Sequence, residues 1–366
     1  MVEKRPIDKL TIKGFKSLQD VELELGRLNV LIGPNGAGKS NLISYFEMLR
    51  EMVEGRLQFW VGKRAGADRI LTFGPKMTPQ FSSYIKFGDN EYGFTLEFDY
   101  DYRFVFTDES LRLGEAPTGP IKIGGWGNRE AQIKSQIRQG EPLSADYCYA
   151  SITSWKVYHF HDTSETAGVM GNRDLHDYKY LRPDASNLAA YLFGLMAIHP
   201  TVYSEICNIV RLAIPFFNDF VLEPKMIKPG DYTIRLMWRQ HDSDYEFSPS
   251  QLSDGSLRFI CLVTALMQPD PPSTIIIDEP ELGLHPYAIT LLGSLLDSAS
   301  ERMQVIVATQ SPQLLDEFSV DDLIVVELRE GVSVFNRLKE SDFNVWLEDF
   351  SVGELWDKNV LGGGLP

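Results

Sequence analysis

The sequence predicts an α/β protein with a mixed central sheet, an antiparallel β-subdomain and a helical insertion. The short apolar run Leu28–Ile32 leads into a glycine-rich turn and then into a segment of helical periodicity. Residues 81–106 alternate between apolar and polar side chains, as antiparallel strands do. From residue 274 onward, apolar strands alternate with helical segments, which is typical of a parallel sheet with crossover helices. The α/β half is therefore split between two distant parts of the chain.

Composition limits the class of protein. The 366 residues are 43% hydrophobic and 23% charged, which is enough apolar material for one large domain or two smaller ones. No apolar stretch of about 18 residues and no secretory signal is recognisable, so we expect a cytoplasmic protein without a membrane partner. The three cysteines form no C-x-x-C pair and are expected to be buried thiols. A net charge of −16 means that any DNA binding needs a local positive groove.

The N-terminal elements follow from periodicity. Residues 10–15 and 21–25 alternate as half-buried strands, and Leu28–Ile32 is apolar enough to be buried on both faces. Apolar side chains then recur at spacings of three and four, which predicts a helix over residues 40–54. Three further strands are predicted at 81–87, 92–98 and 102–106, joined as an antiparallel meander.

The middle of the chain is less regular. Residues 114–127 are rich in glycine and proline, and 129–139 are expected to form a short polar helix on an exposed insertion. The remaining middle elements are predicted as strands at 155–160, 220–227 and 232–238, and helices at 187–198 and 202–214.

The C-terminal part alternates regularly. Its strands are predicted at 274–277, 304–308 and 323–327, and its helices at 286–298 and 312–318. We expect an N-terminal lobe over 1–110, an insertion with a helical subdomain over 111–215, and a C-terminal lobe over 216–366.

The glycine-rich turn Gly33-Pro34-Asn35-Gly36-Ala37-Gly38-Lys39-Ser40 has phosphate-loop spacing. Its glycines let successive N–H groups face phosphate oxygens, and the following helix adds its positive N-terminal end. Lys39 supplies a charge for the β- and γ-phosphates, and the Ser40 hydroxyl suits Mg²⁺. The predicted nucleotide contacts are Asn35, Gly36, Ala37, Gly38, Lys39, Ser40 and Asn41.

Two carboxylates, Asp278 and Glu279, end the apolar strand that begins at residue 274. A buried strand carries such residues to the sheet edge where phosphates bind. We expect Asp278 to hold Mg²⁺ through water, and Glu279 to orient or deprotonate the attacking water. A pair of helix N-cap acids is the structural alternative, and the complete phosphate loop upstream disfavours it.

Leu252-Ser253-Asp254-Gly255-Ser256 opens a helix upstream of these carboxylates. Ser253 is a good N-cap, and alone the segment would be an ordinary helix start. Placed across a dimer interface, the Ser253 hydroxyl and the Gly255 N–H would instead bind the γ-phosphate held by the opposite subunit.

Together, these motifs resemble the ABC-type ATPase heads of the RecF, SMC and OLD families, and most of all stand-alone ATPases of the OLD type. Residues 33–40 resemble their Walker A motif, 252–256 their signature motif, 275–279 their Walker B motif and 281–286 their D-loop. The resemblance implies a P-loop NTPase fold, ATP and Mg²⁺ as ligands, and a homodimer or a larger even-numbered homo-oligomer. It also implies a DNA-linked role in anti-phage defence or DNA repair, with a separate effector such as a Toprim-like nuclease.

The sequence departs from the family pattern in three respects. Gln310 occupies the position of the switch histidine, and its amide can bond a γ-phosphate but carries no titratable charge. We therefore expect slow hydrolysis of ATP. The predicted catalytic residues are Glu279, Lys39 and Gln310. The Q-loop glutamine has only weak candidates, Gln58, Gln80 and Gln132. Finally, we expect no Toprim domain after the last predicted strand.

Other side-chain clusters carry less weight. His159 and His161 lie on one side of a strand near Asp162, as a metal site would require, but without a further ligand we favour ordinary surface or core histidines. The pairs Asp99/Asp101 and Asp242/Asp244 fall between strands, where aspartate caps turns.

The sequence thus predicts an ATPase whose two subunits close around two nucleotides and open after hydrolysis. Two alternatives stay open. A transporter ATPase subunit would share all three motifs, although its signature normally lies nearer the phosphate loop. A non-catalytic scaffold or sensor would use ATP only to hold an oligomer together, which Gln310 makes credible.

Overall fold

The computed structural model describes residues 2–64, 66–99, 101, 103–113, 119–137 and 143–363. Parts of three sequence predictions lie outside these residues. They are the first residue of the strand predicted at 102–106, positions 114–118 of the glycine- and proline-rich segment, and the last two residues of the helix predicted at 129–139.

The central sheet has six strands in the order β18-β17-β3-β16-β15-β8, numbered along the chain. Five of them run parallel, and the edge strand β18 is antiparallel to its neighbour, which confirms the predicted mixed sheet. The bounds are Leu28–Ile32 for β3, Lys156–Tyr158 for β8, Thr274–Asp278 for β15, Gln304–Thr309 for β16, Leu323–Arg329 for β17 and Val332–Arg337 for β18.

Alternate residues of these strands face two separate cores. On β15, for example, Ile275 and Ile277 belong to one core while Ile276 belongs to the other. This period of two follows from the pleat of a strand, and burial on both faces explains why the strands are continuous apolar runs. The sheet is thus the middle layer of the molecule.

The described residues contain ten α-helices. α1 to α3 and the antiparallel subdomain pack with the core that contains Ile276, and α4 to α7 pack with the core that contains Ile275 and Ile277. Their bounds are Lys39–Val53, Leu57–Lys63, Ser144–Ser154, Leu188–Ile198, Pro200–Ala213, Asp254–Leu266 and Pro286–Ser300 for α1 to α7, and Pro312–Leu315, Asn344–Leu347 and Val352–Asp357 for α8 to α10.

The antiparallel subdomain is a six-stranded sheet in the order β2-β1-β4-β5-β6-β7. It contains the predicted meander and one strand, β7, that its glycines hid from sequence analysis. The bounds are Lys9–Phe15, Leu18–Glu24, Gln80–Phe87, Asn90–Phe98, Phe104–Leu113 and Ile121–Asn128.

Two predicted strands are each divided in the structure. The segment 220–227 becomes β10 (Phe217–Val221) and β11 (Lys225–Lys228), because Pro224 between them has no N–H for a strand ladder. The segment 232–238 becomes β12 (Asp231–Ile234) and β13 (Met237–Gln240). These strands belong to two three-stranded sheets that β9 (Arg173–Asp174) and β14 (Glu246–Phe247) complete.

The helix predicted over 129–139 is wrong in its described part. Residues 129–137 contain instead a single 3₁₀ turn, Ile133–Gln136. The buried carboxylate of Glu109 accepts the N–H groups of Gln132 and Ile133 at 2.8 and 3.1 Å, which fixes the chain there as a short turn. All three cysteines are buried and free, as predicted. Among the described residues, no helix is long and apolar enough to cross a membrane.

Candidate functional site

The phosphate loop joins β3 to α1 and is packed tightly from behind. Gly36 and Gly38 have φ values of 81° and 116°, in the region that side chains disfavour. A Cβ atom on Gly38 would lie 1.9 Å from the Ser333 hydroxyl oxygen. That hydroxyl donates to the Ala37 carbonyl at 2.6 Å. Strand β18 therefore holds the loop in shape, and only glycine fits at position 38.

Asn41 takes part in the same support. Its amide donates to the Ser17 hydroxyl at 2.7 Å, and Ser17 is 2.6 Å from the Ser333 hydroxyl. Asn41 also borders the phosphate cleft. The structure thus gives this predicted nucleotide contact a clear structural role, while its contact with a nucleotide stays a prediction.

The phosphate loop and the two carboxylates border one small cleft of about 100 Å³. Parallel pairing explains this, because β16 lies between β3 and β15 and all three strands end at the same edge. The residues that line the cleft are Asn35, Gly36, Gly38, Lys39, Ser40, Asn41, Asp278 and Glu279.

Lys39 is buried at the base of this cleft. Its Nζ donates to the carbonyl oxygens of Gly33 and Pro34 at 2.5 and 3.2 Å. Burial lowers the pKa of Lys39, and the charges of Asp278 and Glu279 partly oppose that shift. A poorly hydrated cation in this position interacts strongly with phosphate oxygens.

Asp278 is the last residue of β15, and Glu279 follows it in a different backbone conformation. Glu279 has a φ of 43°, which is unusual for a residue with a side chain, and its N–H donates to the Ala308 carbonyl at 2.8 Å. Burial raises the pKa of Asp278, and the neighbouring charge of Glu279 raises it further. Because a cation would relieve both effects, the pair favours binding of a positive ion.

Gln310 connects the loop to the carboxylates. Its Nε2 donates to Asn35 Oδ1 at 2.7 Å and to Glu279 Oε1 at 3.2 Å. Next to it, the Thr309 hydroxyl donates to the Glu281 carboxylate at 2.5 Å, and burial raises the pKa of Glu281. The switch position thus contacts both predicted catalytic segments.

The signature segment begins α6 as predicted. Ser253 is the N-cap and accepts the N–H of Ser256 at 3.1 Å. Gly255 is buried, and a Cβ atom there would lie 2.0 Å from the Gly283 carbonyl oxygen. Neither Ser253 nor Gly255 is among the residues that line the phosphate cleft of the same chain. Their role in binding nucleotide from a second copy stays a prediction.

His159 and His161, which the sequence analysis favoured as ordinary histidines, lie beside Asp278 in the structure. β8 pairs in parallel with β15, with Tyr158 opposite Ile277, so the residues after β8 reach the same edge as Asp278. One ligand atom from each of His159, His161 and Asp278 lies within 4.8 Å of the other two. The missing signal was strand order, because neighbouring strands cannot be assigned from periodicity alone.

The weak Q-loop candidates lie elsewhere. The Gln58 amide donates to the carbonyls of Phe104 and Arg129 at 3.0 and 2.7 Å, in the antiparallel subdomain. Gln80 is an exposed residue of β4, and Gln132 belongs to the turn below Glu109. None of the three borders the phosphate cleft.

The residues of the cleft fit a nucleotide with Mg²⁺. The glycine-rich loop forms a cradle that a Cβ atom at position 38 would disrupt. The N-terminus of the 15-residue helix α1 follows this loop directly. The Ser40 hydroxyl and the Asp278 carboxylate offer the oxygen ligands that Mg²⁺ prefers.

Comparison with known proteins identifies the family. The model of the family described as "AAA domain, putative AbiEii toxin, Type IV TA system" matches residues 28–119 and 154–316. The matched segments contain the phosphate loop, His159 and His161, the signature segment, both carboxylates and Gln310. The match therefore spans the whole cleft.

Two curated relatives are similar along most of this chain. An OLD nuclease from Thermus scotoductus is 22% identical over 359 residues, which cover 92% of this chain and 65% of the relative. The endonuclease GajA from Bacillus cereus is 20% identical over 347 residues, which cover 88% of this chain and 58% of the relative. The chain thus spans less than two thirds of the length of either relative.

Solved structures support the fold. An SMC head bound to the C-terminal winged-helix domain of ScpA superimposes with a TM-score of 0.60 at 16% identity, covering 92% of this chain and 99% of that one. An Smc head domain with an extended coiled coil, bound to the C-terminal domain of ScpA derived from Pyrococcus furiosus, gives 0.56 at 16% identity, with coverages of 94% and 99%. The architecture is that of an ABC-type ATPase head.

Proposed function

The chain belongs to the family described as "AAA domain, putative AbiEii toxin, Type IV TA system", within the ABC-type ATPases of the RecF, SMC and OLD group, and we propose that it binds and slowly hydrolyses ATP. One observation carries the proposal. The Lys39 ammonium, the Ser40 hydroxyl and the carboxylates of Asp278 and Glu279 border a single cleft at the N-terminus of α1.

In the proposed mechanism, Lys39 neutralises the β- and γ-phosphates, and loop N–H groups bind their oxygens. Ser40 and Asp278 would hold Mg²⁺, which supplies further neutralisation of phosphate charge. Glu279 accepts a proton from the attacking water. At the same time the water oxygen bonds to the γ-phosphorus, and the bond between the γ-phosphorus and the β–γ bridging oxygen breaks. Gln310 orients Glu279 through the bond at 3.2 Å.

The site is proposed to be completed by a second copy of the chain. Ser253 is exposed at the tip of α6, where its hydroxyl and the helix N-terminus can receive a phosphate presented by another subunit. Two such sites would form in a symmetric pair, and closure of the pair around two nucleotides would be the output of ATP binding.

The biological role is proposed from the relatives, whose names are those of nucleases. ATP-dependent closure would control a DNA-linked process, such as anti-phage defence or DNA repair, through an effector such as a Toprim-like nuclease. The cytoplasmic location expected from the sequence is part of this proposal.

Two substitutions test the ATPase proposal. Lys39→Ala removes the buried charge and should weaken ATP binding by about 100-fold or more, whereas Glu279→Gln should keep ATP bound and lower phosphate release by about 100-fold or more. Binding is measured by calorimetry and turnover by phosphate release, with exposed Lys63→Ala as the control. Equal ATP affinity for Lys39→Ala and wild type would overturn the proposal.

A non-catalytic scaffold or sensor is the second candidate, and the Gln310 amide at the switch position favours it. The same experiment separates the two functions. A scaffold would bind ATP through Lys39, yet wild type and Glu279→Gln would release phosphate at the same background rate.

A further inference from the structure

We propose that His159, His161 and Asp278 form a binding site for a divalent transition-metal ion, such as Co²⁺, Ni²⁺ or Zn²⁺, at the edge of the phosphate cleft. The proposal extends the proposed function, because Asp278 is shared with the expected Mg²⁺ site. Its test does not depend on ATP binding.

The backbone brings the two imidazoles to Asp278. Tyr158 and Phe160 point into the core, and their rings stack at 5.1 Å. The intervening side chains, His159 and His161, therefore lie on the other side of the chain, with ring centroids 6.3 Å apart. Pairing of β8 with β15 places this side next to the last residue of β15, which is Asp278.

His159 is oriented by a carboxylate behind it. Its Nε2 lies 3.1 Å from Glu47 Oε1, and Arg64 pairs with the other Glu47 oxygen at 2.8 Å. An ion-paired carboxylate only accepts hydrogen bonds, so Nε2 carries a proton; in the neutral imidazole the Nδ1 lone pair of His159 would then be available to a metal ion. A histidine that donates one N–H to a carboxylate and offers its other nitrogen is the usual arrangement at metal centres.

The backbone of the second histidine is fixed as well. Arg258 on α6 donates from Nε to the Phe160 carbonyl at 2.8 Å and from Nη2 to the His161 carbonyl at 3.3 Å. The segment that carries both imidazoles is thus tied to α6, the helix that Ser253 caps. The His161 side chain is exposed, so its ring can rotate without disturbing the core.

The spacing and the chemical type of the three donor atoms indicate which class of ion the site suits. Two ligands of one ion lie at most about 4.4 Å apart when each bond is about 2.2 Å long. All three donor atoms lie within 4.8 Å of one another, which is close to that value, and the exposed His161 ring is free to turn towards a bound ion. Two imidazoles with one carboxylate favour transition ions over Mg²⁺, which prefers oxygen ligands. The remaining positions would be open to water or a phosphate oxygen.

Co²⁺ is the most direct probe, because its visible absorption reports nitrogen ligands. The full-length chain without nucleotide is titrated with Co²⁺ by absorption and calorimetry. We expect one high-affinity site in wild type, about tenfold or more weaker binding for His161→Ala, and loss of the site for His159→Ala combined with His161→Ala. The matched control replaces the exposed histidines His176 and His241 by Ala and should bind Co²⁺ like wild type.

Equal Co²⁺ affinity for His161→Ala and wild type would overturn the proposal, and so would an equal loss in the control. Lys39→Ala separates this inference from the ATPase proposal, because it should lose ATP and keep Co²⁺. If Co²⁺ binds as expected and ATP does not bind to wild type, the ATPase proposal fails while the metal site stands. If ATP binds to wild type and Co²⁺ does not, the metal-site proposal fails while the ATPase proposal stands.

Discussion

Gln310 positions the proposed general base, Glu279, and so contributes to the rate of the proposed reaction. Its amide bonds to Asn35 on the loop and to Glu279 just after β15, so it aligns the proposed general base with the phosphate side of the cleft. We expect Gln310→Ala to lower phosphate release by about tenfold or more and to leave ATP binding nearly unchanged, because Lys39 is untouched.

The control for this variant is Gln313→Ala, three residues further along, whose exposed amide donates to the Pro286 carbonyl at 3.0 Å. Phosphate release under saturating ATP is the measurement. A Gln310→Ala rate equal to that of wild type would mean that the amide does not orient Glu279.

At the scale of single residues, the sequence predicts best those that belong to a motif at the end of a strand. Lys39, Ser40, Asp278 and Glu279 border one cleft, as expected from an apolar strand before each motif. For His159 and His161 the sequence favours ordinary histidines, because it shows no further ligand beyond the adjacent Asp162. Their third potential ligand, Asp278, lies on a neighbouring strand, and only the three-dimensional pairing of β8 with β15 reveals it.

Between elements, the contact of α6 with the loop after β15 couples the signature segment to the carboxylates. A Cβ atom at Gly255 would lie 2.0 Å from the Gly283 carbonyl oxygen, so Gly255→Ala must push this loop away. We expect a loss of about 1–3 kcal/mol in unfolding free energy, a lower melting temperature and slower phosphate release.

Gly62→Ala is the matched control for Gly255→Ala. Gly62 lies in α2, and a Cβ atom added there would have no neighbouring atom within 4 Å, so alanine fits without a clash. Because alanine also favours helix over glycine, the melting temperature of this variant should equal or exceed that of wild type. Equal melting temperatures for Gly255→Ala and Gly62→Ala would show that the loop containing Gly283 moves away from the added Cβ atom without loss of stability.

Lys156 on β8 gives a prediction about pH. Burial, together with the nearby charges of Arg50 and Lys4, lowers its pKa from the usual 10.5 to about 8. The folded state therefore disfavours the charged form, and this cost is present below about pH 8 and disappears as pH rises towards 10.5. A contact at 5.2 Å with the Tyr180 ring offsets part of the cost.

We expect Lys156→Met to raise the unfolding free energy at pH 7 by about 1–3 kcal/mol relative to wild type. The advantage of the variant should shrink between pH 8 and pH 10, since wild type then releases the proton. Melting temperatures of both proteins across this range are the measurement. A constant difference at all pH values would rule out the ammonium as the cause.

Elements with strong periodicity follow closely from the sequence, and the failures have local causes. β3, α1 and β15 are found within a residue or so of their expected bounds, and α6 begins after the expected N-cap Ser253, because apolar spacing and that N-cap specify them. Pro224 divides one predicted strand, and glycines conceal β7. The turn below Glu109 replaces a predicted helix, because a buried carboxylate distant in sequence binds its N–H groups.

For the whole molecule, alternation of strands and helices predicts a parallel sheet but not the order of its strands. β3 and β16 are neighbours although more than half of the chain separates them, and this pairing joins the phosphate loop to the carboxylates. Pairing between distant segments depends on tertiary packing, to which local patterns are insensitive. The division of the chain into three parts stays a prediction.

The central claim is that two copies of the chain share each nucleotide. Lys39→Ala disables the phosphate loop, and Ser253→Arg places a bulky cation on the exposed tip of α6, where it should block closure without loss of ATP binding. Ser351→Arg changes another exposed N-cap serine, on α10, and should hydrolyse ATP like wild type.

The most direct test mixes the two inactive variants and measures phosphate release. In a dimer of one Lys39→Ala and one Ser253→Arg subunit, one site contains both substitutions and the other contains neither. With free exchange, half of the dimers are mixed and half of their sites are intact, so we expect about a quarter of wild-type activity from an equal mixture. A mixture no more active than its separate components, or wild-type hydrolysis by Ser253→Arg alone, would contradict the account.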